Sequence, residues 1–272
     1  MNHKSLLALF SLSAAFCCLC EIFLSFYTVE ATTGFFLSGM KPIGLLLCLG
    51  VAVCVLAPAV FSLLNRDIRR PREFASPACC GVSVLLGIAV IWESVKVRTF
   101  SIPSWQPAAL KIFGVAAGLF FVAWAVAGLT HRKINGIFYC LPILYFVFRI
   151  IVAFSSYASL ATIVSHVLYL AESCLTLLYW LSCAKFHLGL QGEKQFGWMR
   201  AFGFAFSVLS LSSVALALIY RFTGRVSLSH QNTEFLWTGL LCVFFFLLDY
   251  SSTREKKNFP EEENLSETEM KN

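Results

Sequence analysis

Residues 136–182 read GIFYCLPILYFVFRIIVAFSSYASLATIVSHVLYLAESCLTLLYWLS, and Arg149, His166 and Glu172 are the only acidic or basic side chains among them. A helix needs about 20 apolar residues to cross about 30 Å of hydrocarbon. The segments 136–156 and 159–182 both meet that length. Neither shows the strict alternation of a barrel strand, and a lipid-facing backbone must satisfy its own polar groups, so both read as membrane-spanning helices. The link between them is so short that they must be antiparallel neighbours.

The same pattern extends outward over the chain. Of its 272 residues, 58% are hydrophobic and 13% charged, against about 45–50% and about 25% in a soluble globular protein. That balance excludes an ordinary cytosolic enzyme, a disordered chain and a small secreted disulfide scaffold. Eight apolar runs emerge, at 5–27, 43–64, 78–95, 108–129, 136–156, 159–182, 201–220 and 235–251. The expected fold is an all-α, polytopic integral membrane helix bundle of about eight transmembrane helices over residues 1–251. The runs 78–95 and 235–251 are short enough to be re-entrant. Residues 252–272, with Pro260 and the acidic run Glu261–Glu263, read as a disordered cytoplasmic tail. The stretch 183–200, with Gly189, Gly192 and Gly197 among aromatics, reads as a loop dipping into the headgroups.

Lysine and arginine set the orientation. With the N-terminus in the cytoplasm, 14 basic residues fall on the inner side and 5 on the outer, while Lys111 and Arg149 lie inside runs. This places both termini in the cytoplasm of a multi-pass cell-membrane protein. The first run lacks a small-x-small cleavage site and reads as an uncleaved signal anchor. Most of the 11 Cys lie in or beside apolar runs, where a free thiol behaves as a small hydrophobe. The cluster Cys17, Cys18, Cys20 lacks the second ligand pair a zinc site needs.

The marks of intramembrane chemistry are missing. There is no His-Glu-x-x-His, no Gly-x-Ser-x-Gly and no phosphate-cradling Gly-x-x-x-x-Gly-Lys. No enzyme activity, cofactor or metal is expected. With no basic stripe interleaved with exposed aromatics, no nucleic acid is expected as a partner either.

What stands out is ionisable side chains inside apolar runs, where a charge at mid-bilayer costs about 2.5–3.5 kcal/mol or more. Glu21, Arg149, His166 and Glu172 form the candidate intramembrane polar site, with Glu93 and Asp249 nearer the run ends. By helix rise Glu93 lies about 3 Å, Glu21 about 9 Å and Arg149 and His166 about 10–11 Å below the outer edge; Glu172 lies about 20 Å down. On the sixth run Thr162, His166, Tyr169, Ser173 and Thr176 recur at helical spacing, with Ser165 and Glu172 beside them. That seam either lines a cavity or glues helices by hydrogen bonds. Arg149 cannot shed its charge, so it must find a carboxylate, with Glu172 expected first and Glu21 second.

Other features read as packing. Gly114, Gly118, Ala125 and Gly128 make a small-residue face on the fourth run, and Gly203, Ser207, Ser210 and Ser213 another on the seventh. Pro58 and Pro142 are expected to kink their helices. Trp92, Trp105, Trp180, Trp198 and Trp237 suit an interfacial belt.

Leu141-Pro142, Arg149 and Ser155-Ser156-Tyr157, together with Ala184-Lys185-Phe186 and Gly192-Glu193-Lys194, resemble parts of uncharacterised multi-pass bacterial membrane proteins. The resemblance covers the second half of the chain, has no diagnostic motif and implies no activity. From the residues themselves, the first functional expectation is a permease-like or channel-like module for a small solute. The alternatives are a non-catalytic sensor or scaffold acting through partner proteins, and an intramembrane enzyme with an unrecognised site. The expected partners are the lipid bilayer and either further copies of the chain or other membrane proteins.

Overall fold

The computed structural model describes residues 3–29, 36–64, 76–96, 105–132, 134–157, 163–188, 190, 192–223 and 233–255, with side chains at all of these except 3–4, 156–157, 163–166, 192–194, 233–236 and 252–255. Its helices are α1 (His3–Phe23), α2 (Lys41–Leu64), α3 (Pro77–Lys96), α4 (Trp105–Leu129), α5 (Cys140–Tyr157), α6 (Ile163–His187), α7 (Gly192–Thr223) and α8 (Thr233–Glu255). Seven of them are long and apolar enough to cross a membrane, and α8 holds a shorter apolar stretch, Trp237–Ser251. The chain is an all-α, polytopic membrane helix bundle. The 78–95 run belongs to the seven, because α3 reaches from Pro77 to Lys96.

Pairwise contacts set the directions of the helices. Ser83 Oγ donates to Phe121 O at 2.8 Å, while Ser94 lies against Gly114, so α3 and α4 are antiparallel. Arg149–Tyr169 and Tyr139–His187 make α5 and α6 antiparallel. Ser210–Gly239 and Phe204–Phe246 do the same for α7 and α8. Phe10–Phe204, Cys17–Ser212 and Phe26–Tyr220 run α1 and α7 parallel. Phe113–Phe148 and Phe120–Tyr139 make α4 and α5 antiparallel, and Phe186–Phe196 and Tyr179–Phe206 do so for α6 and α7, so α1, α3, α5 and α7 run one way and α4, α6 and α8 the other. The near end is the one where α1, α3, α5 and α7 start; the far end is where they finish.

Glycine lets α3 and α4 approach closely. A Cβ on Gly87 would sit 2.6 Å from Gly118 O, and one on Gly118 would sit 2.6 Å from Gly87 O. The expected small face of α4 thus packs on α3 through Gly114 and Gly118. On α7 the buried serines are Ser207, Ser210 and Ser212, whereas Ser213 is half-buried.

The near half of the bundle is filled by aromatics. Trp180, Tyr179, Phe121, Phe206, Phe245 and Phe246 are all fully buried, with Phe121–Trp180 at 4.9 Å and Trp180–Phe245 at 5.3 Å between ring centroids. Trp180 is thus core, not belt: its residue lies on the face of α6 turned to α4 and α8. Trp92, Trp105, Trp198 and Trp237 are exposed.

Two further expectations need correction. Pro142 does not bend a helix around a cavity, because α5 begins at Cys140 after a 3-10 turn over Gly136–Tyr139. It therefore sits in the first turn, where its missing N–H costs little. The stretch 183–200 is mostly helical: α6 continues to His187 and α7 starts at Gly192. Phe196 packs on Phe186 at 5.7 Å, and Arg200 reaches the end of α2. The tail beyond 255, the 65–75 loop and the 97–104 loop lie outside the described residues.

Candidate functional site

Burial divides the polar residues of the bundle. Many buried hydroxyls bond a carbonyl of their own helix. Ser94 donates to Val90 O at 2.6 Å, Thr176 to Glu172 O at 2.8 Å and Thr28 to Leu24 O at 2.6 Å. Such back-bonding is the cheapest way for a helix in lipid to hide a hydroxyl. What is left marks the unusual places.

The first is a chamber in the far half, enclosed by α3 to α8. Arg149, on α5, is 5% exposed. Its Nε donates to Tyr169 OH of α6 at 2.9 Å, and its guanidinium lies 5.3 Å from the Tyr169 ring and 5.9 Å from the Phe146 ring. Glu93 of α3, 2% exposed, acts on it electrostatically, as does the phenol of Tyr145. Tyr145 is held beside Ser94, and α4 leaves room for both with Gly114, whose Cβ would strike Ser94 and come within 3.2 Å of the Tyr145 ring. Glu172, one turn further along α6 than Tyr169, is 8% exposed and lies within the field of Arg149. Its Oε1 abuts Gly239 of α8, where a Cβ would come within 2.6 Å of it, and Ser210 Oγ of α7 abuts the same spot. Cys242, one turn along α8, feels the charges of Arg149, Glu93 and Glu172 together. Among the described residues the chamber thus holds two carboxyl groups and one guanidinium.

Around it, Ser173, Ser207, Ser210 and Thr238 are at most 2% exposed; Ser210 is hydrogen-bonded to Glu172 and Ser173 to Tyr169, while the hydroxyls of Ser207 and Thr238 have no partner among the described residues. Ser173 adjoins Glu172, Thr238 adjoins Gly239 and Ser207 lies one turn from Ser210. All four therefore fall close to the level at which Glu172, Ser210 and Gly239 meet.

Glu21 sits apart, where α1 packs on α7. Its Oε1 accepts from Ser212 Oγ at 2.8 Å and lies 3.9 Å from Cys17 Sγ; its Oε2 has no hydrogen-bond partner, and the residue is 1% exposed. Ser210 and Ser212 point to nearly opposite sides of α7 at about 100° per residue. Glu21 therefore meets the side of α7 turned to α1, while Glu172 meets the side turned to α6 and α8, although Glu172 still acts on Glu21 electrostatically. A π turn over Leu24–Thr28 begins three residues after Glu21, a deformation common at functional sites. Asp249 belongs to the near half with Cys79, Cys183, Tyr139 and Tyr179.

Of the sequence-derived set, Arg149 and Glu172 share the chamber, and Glu21 lies one helix away. His166 lies on α6, with its side chain outside the described residues. Sequence reasoning missed Glu93 as a partner of Arg149, since counting residues put it nearly at the membrane edge. It also read the serines of α7 as close-packing residues and did not single out Thr238 of α8. Among the described residues, no three His, Cys, Asp or Glu side chains converge as metal ligands. No protein-family model, curated protein or solved structure matches the chain.

Proposed function

We propose that the protein is a permease-like module that carries a small solute across the cell membrane, with both termini in the cytoplasm and no catalytic activity of its own. The observation that carries this reading is the set Arg149, Glu93 and Glu172, buried together in the far half of a membrane bundle among buried hydroxyls. Ionisable groups at such depth are costly, face the interior and mark solute or ion pathways. A purely structural ion pair would need one acid for one base and would satisfy its polar neighbours. Among the described residues this chamber holds two acids to one base, and the hydroxyls of Ser207 and Thr238 are unsatisfied. Arg149, held by Tyr169, offers a guanidinium to a solute carboxylate or phosphate, and the far end is the nearer entrance. The aromatic half beneath would close the near end.

The test is uptake into proteoliposomes, screened over small carboxylates, amino acids and sugars. Transport should be saturable and should fall at least about tenfold in Arg149→Lys, which keeps the charge and loses the planar fork. Absence of uptake for every solute, from protein shown to be folded, would overturn the reading. The dense aromatic packing of the near half favours a second reading, a non-catalytic sensor or scaffold; co-purification of a stoichiometric membrane partner would support it.

A further inference from the structure

We propose that Glu21, where α1 packs on α7, is a proton-binding site that exchanges its proton with the far side of the membrane through the hydroxyls of Ser25 and Tyr220. The hydrogen bonds around Glu21 are the first argument. Ser212 Oγ lies 2.8 Å from Glu21 Oε1 and 2.9 Å from Leu209 O, but a hydroxyl has one proton to give. With Glu21 ionised, one of those two acceptors goes without. With a proton on Oε1, Glu21 donates to Ser212 and Ser212 donates to Leu209 O, so both contacts are made. Oε2, which has no partner among the described residues, is then a neutral carbonyl oxygen rather than part of a buried charge.

Electrostatics is the second. Glu21 is 1% exposed. Ser212 of α7, Cys17 of its own helix and Glu172 of α6 act on it, and α2 brings the thiol of Cys54 beside Cys17 and Cys20. Among the described residues no Lys, Arg or His acts on it, and a lone carboxylate in low dielectric is costly where its acid is not.

The path to solvent is the third. Cys17, Glu21 and Ser25 recur every four residues along α1 and the π turn after it, and their contacts with Ser212 and Tyr220 turn that line to α7. Ser25 and Tyr220 are hydrogen-bonded to each other and half-buried. They lie about 6 Å beyond Glu21 along the axis toward the far end, a gap that one water spans. Toward the near end the same contact turns apolar, with Phe10 on Phe204 at 5.4 Å and both at most 8% exposed.

The site stands apart from the permease reading, since its proton is observed with no solute present. The full chain in lipid vesicles is followed by infrared spectroscopy. At neutral pH the wild type should show the carbonyl stretch of a protonated carboxyl that Glu21→Gln lacks. Raising the pH should remove that band reversibly and put carboxylate bands in its place. On transfer to heavy water the band should shift down, and the paired Ser25→Ala, Tyr220→Phe variant should slow that shift at least about tenfold. No band lost in Glu21→Gln, a band that neither titrates nor exchanges, or an exchange rate unchanged in the paired variant would overturn the proposal. Should Glu21→Gln fail to fold, Ser212→Ala decides, because it removes the acceptor of the Glu21 proton: carbonyl bands unmoved in frequency overturn it.

Discussion

Replacing Arg149 with Met tests the chamber most sharply. The guanidinium is 5% exposed, donates to Tyr169 OH at 2.9 Å and opposes Glu93, itself 2% exposed. Met keeps the apolar stem of the side chain and removes the guanidinium, so most of the loss is electrostatic. A hydrogen bond with a charged donor contributes about 1.5–3 kcal/mol, and stranding a buried charge costs about 3–5 kcal/mol in all. In membranes the unfolded reference also finds partners, which reduces such terms. About 3 kcal/mol is therefore expected, a factor of roughly 150 in the folding equilibrium. Glu93→Gln on the Arg149→Met background removes the stranded charge and should restore much of that loss. The assay is reversible unfolding in mixed detergent–lipid bicelles, read by tryptophan fluorescence, for the wild type, both singles and the double. A coupling energy of about 2 kcal/mol is expected for Arg149 with Glu93, and a smaller one for Arg149 with Glu172. Strictly additive losses for Arg149 and Glu93 would refute the reasoning.

Three shorter predictions follow from the packing. Gly239→Ala should gain about 1 kcal/mol of helix propensity and lose about 1–3 kcal/mol to overpacking against Glu172 and Ser210; the same bicelle assay should therefore show a small net destabilisation. Arg200→Met should lower stability by about 2 kcal/mol, because Arg200 donates to Ser62 Oγ at 2.7 Å and to Ser62 O at 2.5 Å, covering the last turn of α2. Gly118→Val should separate α3 from α4, since its side chain would meet Gly87 O and Ile91, and cross-linking between cysteines placed on the two helices should fall at least severalfold.

Hydropathy made the helices legible, because each must be apolar along its whole length to cross lipid. Arg149 and Glu172 were legible for the same reason: an uncompensated charge in such a run has to face the interior. What hydropathy does not carry is azimuth and neighbourhood. Trp180 looked interfacial by its place in the run, yet its face of α6 meets Phe121 and Phe245. Glu93 looked shallow by residue count, but α3 packs so closely on α4 through Gly87 and Gly118 that its far end is turned inward beside Tyr145 and Arg149. Ser210 looked like an ordinary small packing residue; only the α6–α7–α8 register shows that it meets Glu172 beside Gly239. Pro142 looked internal to a helix until the 3-10 turn before it shifted the helix start to Cys140.

X-ray hydroxyl-radical footprinting of the protein in nanodiscs tests the solute-accessible chamber most directly, since radicals form from water at the place where they react. Tyr169 and Cys242 border the chamber, at 8% and 0% exposed, whereas Tyr179 lies in the aromatic half at 0%, so Cys242 is the comparison matched in burial. Tyr169 and Cys242 should be oxidised at rates far above Tyr179, and Arg149→Met should change those rates. Protection of Tyr169 and Cys242 to the level of Tyr179 would mean that the polar residues only pack helices, and the permease reading would be contradicted.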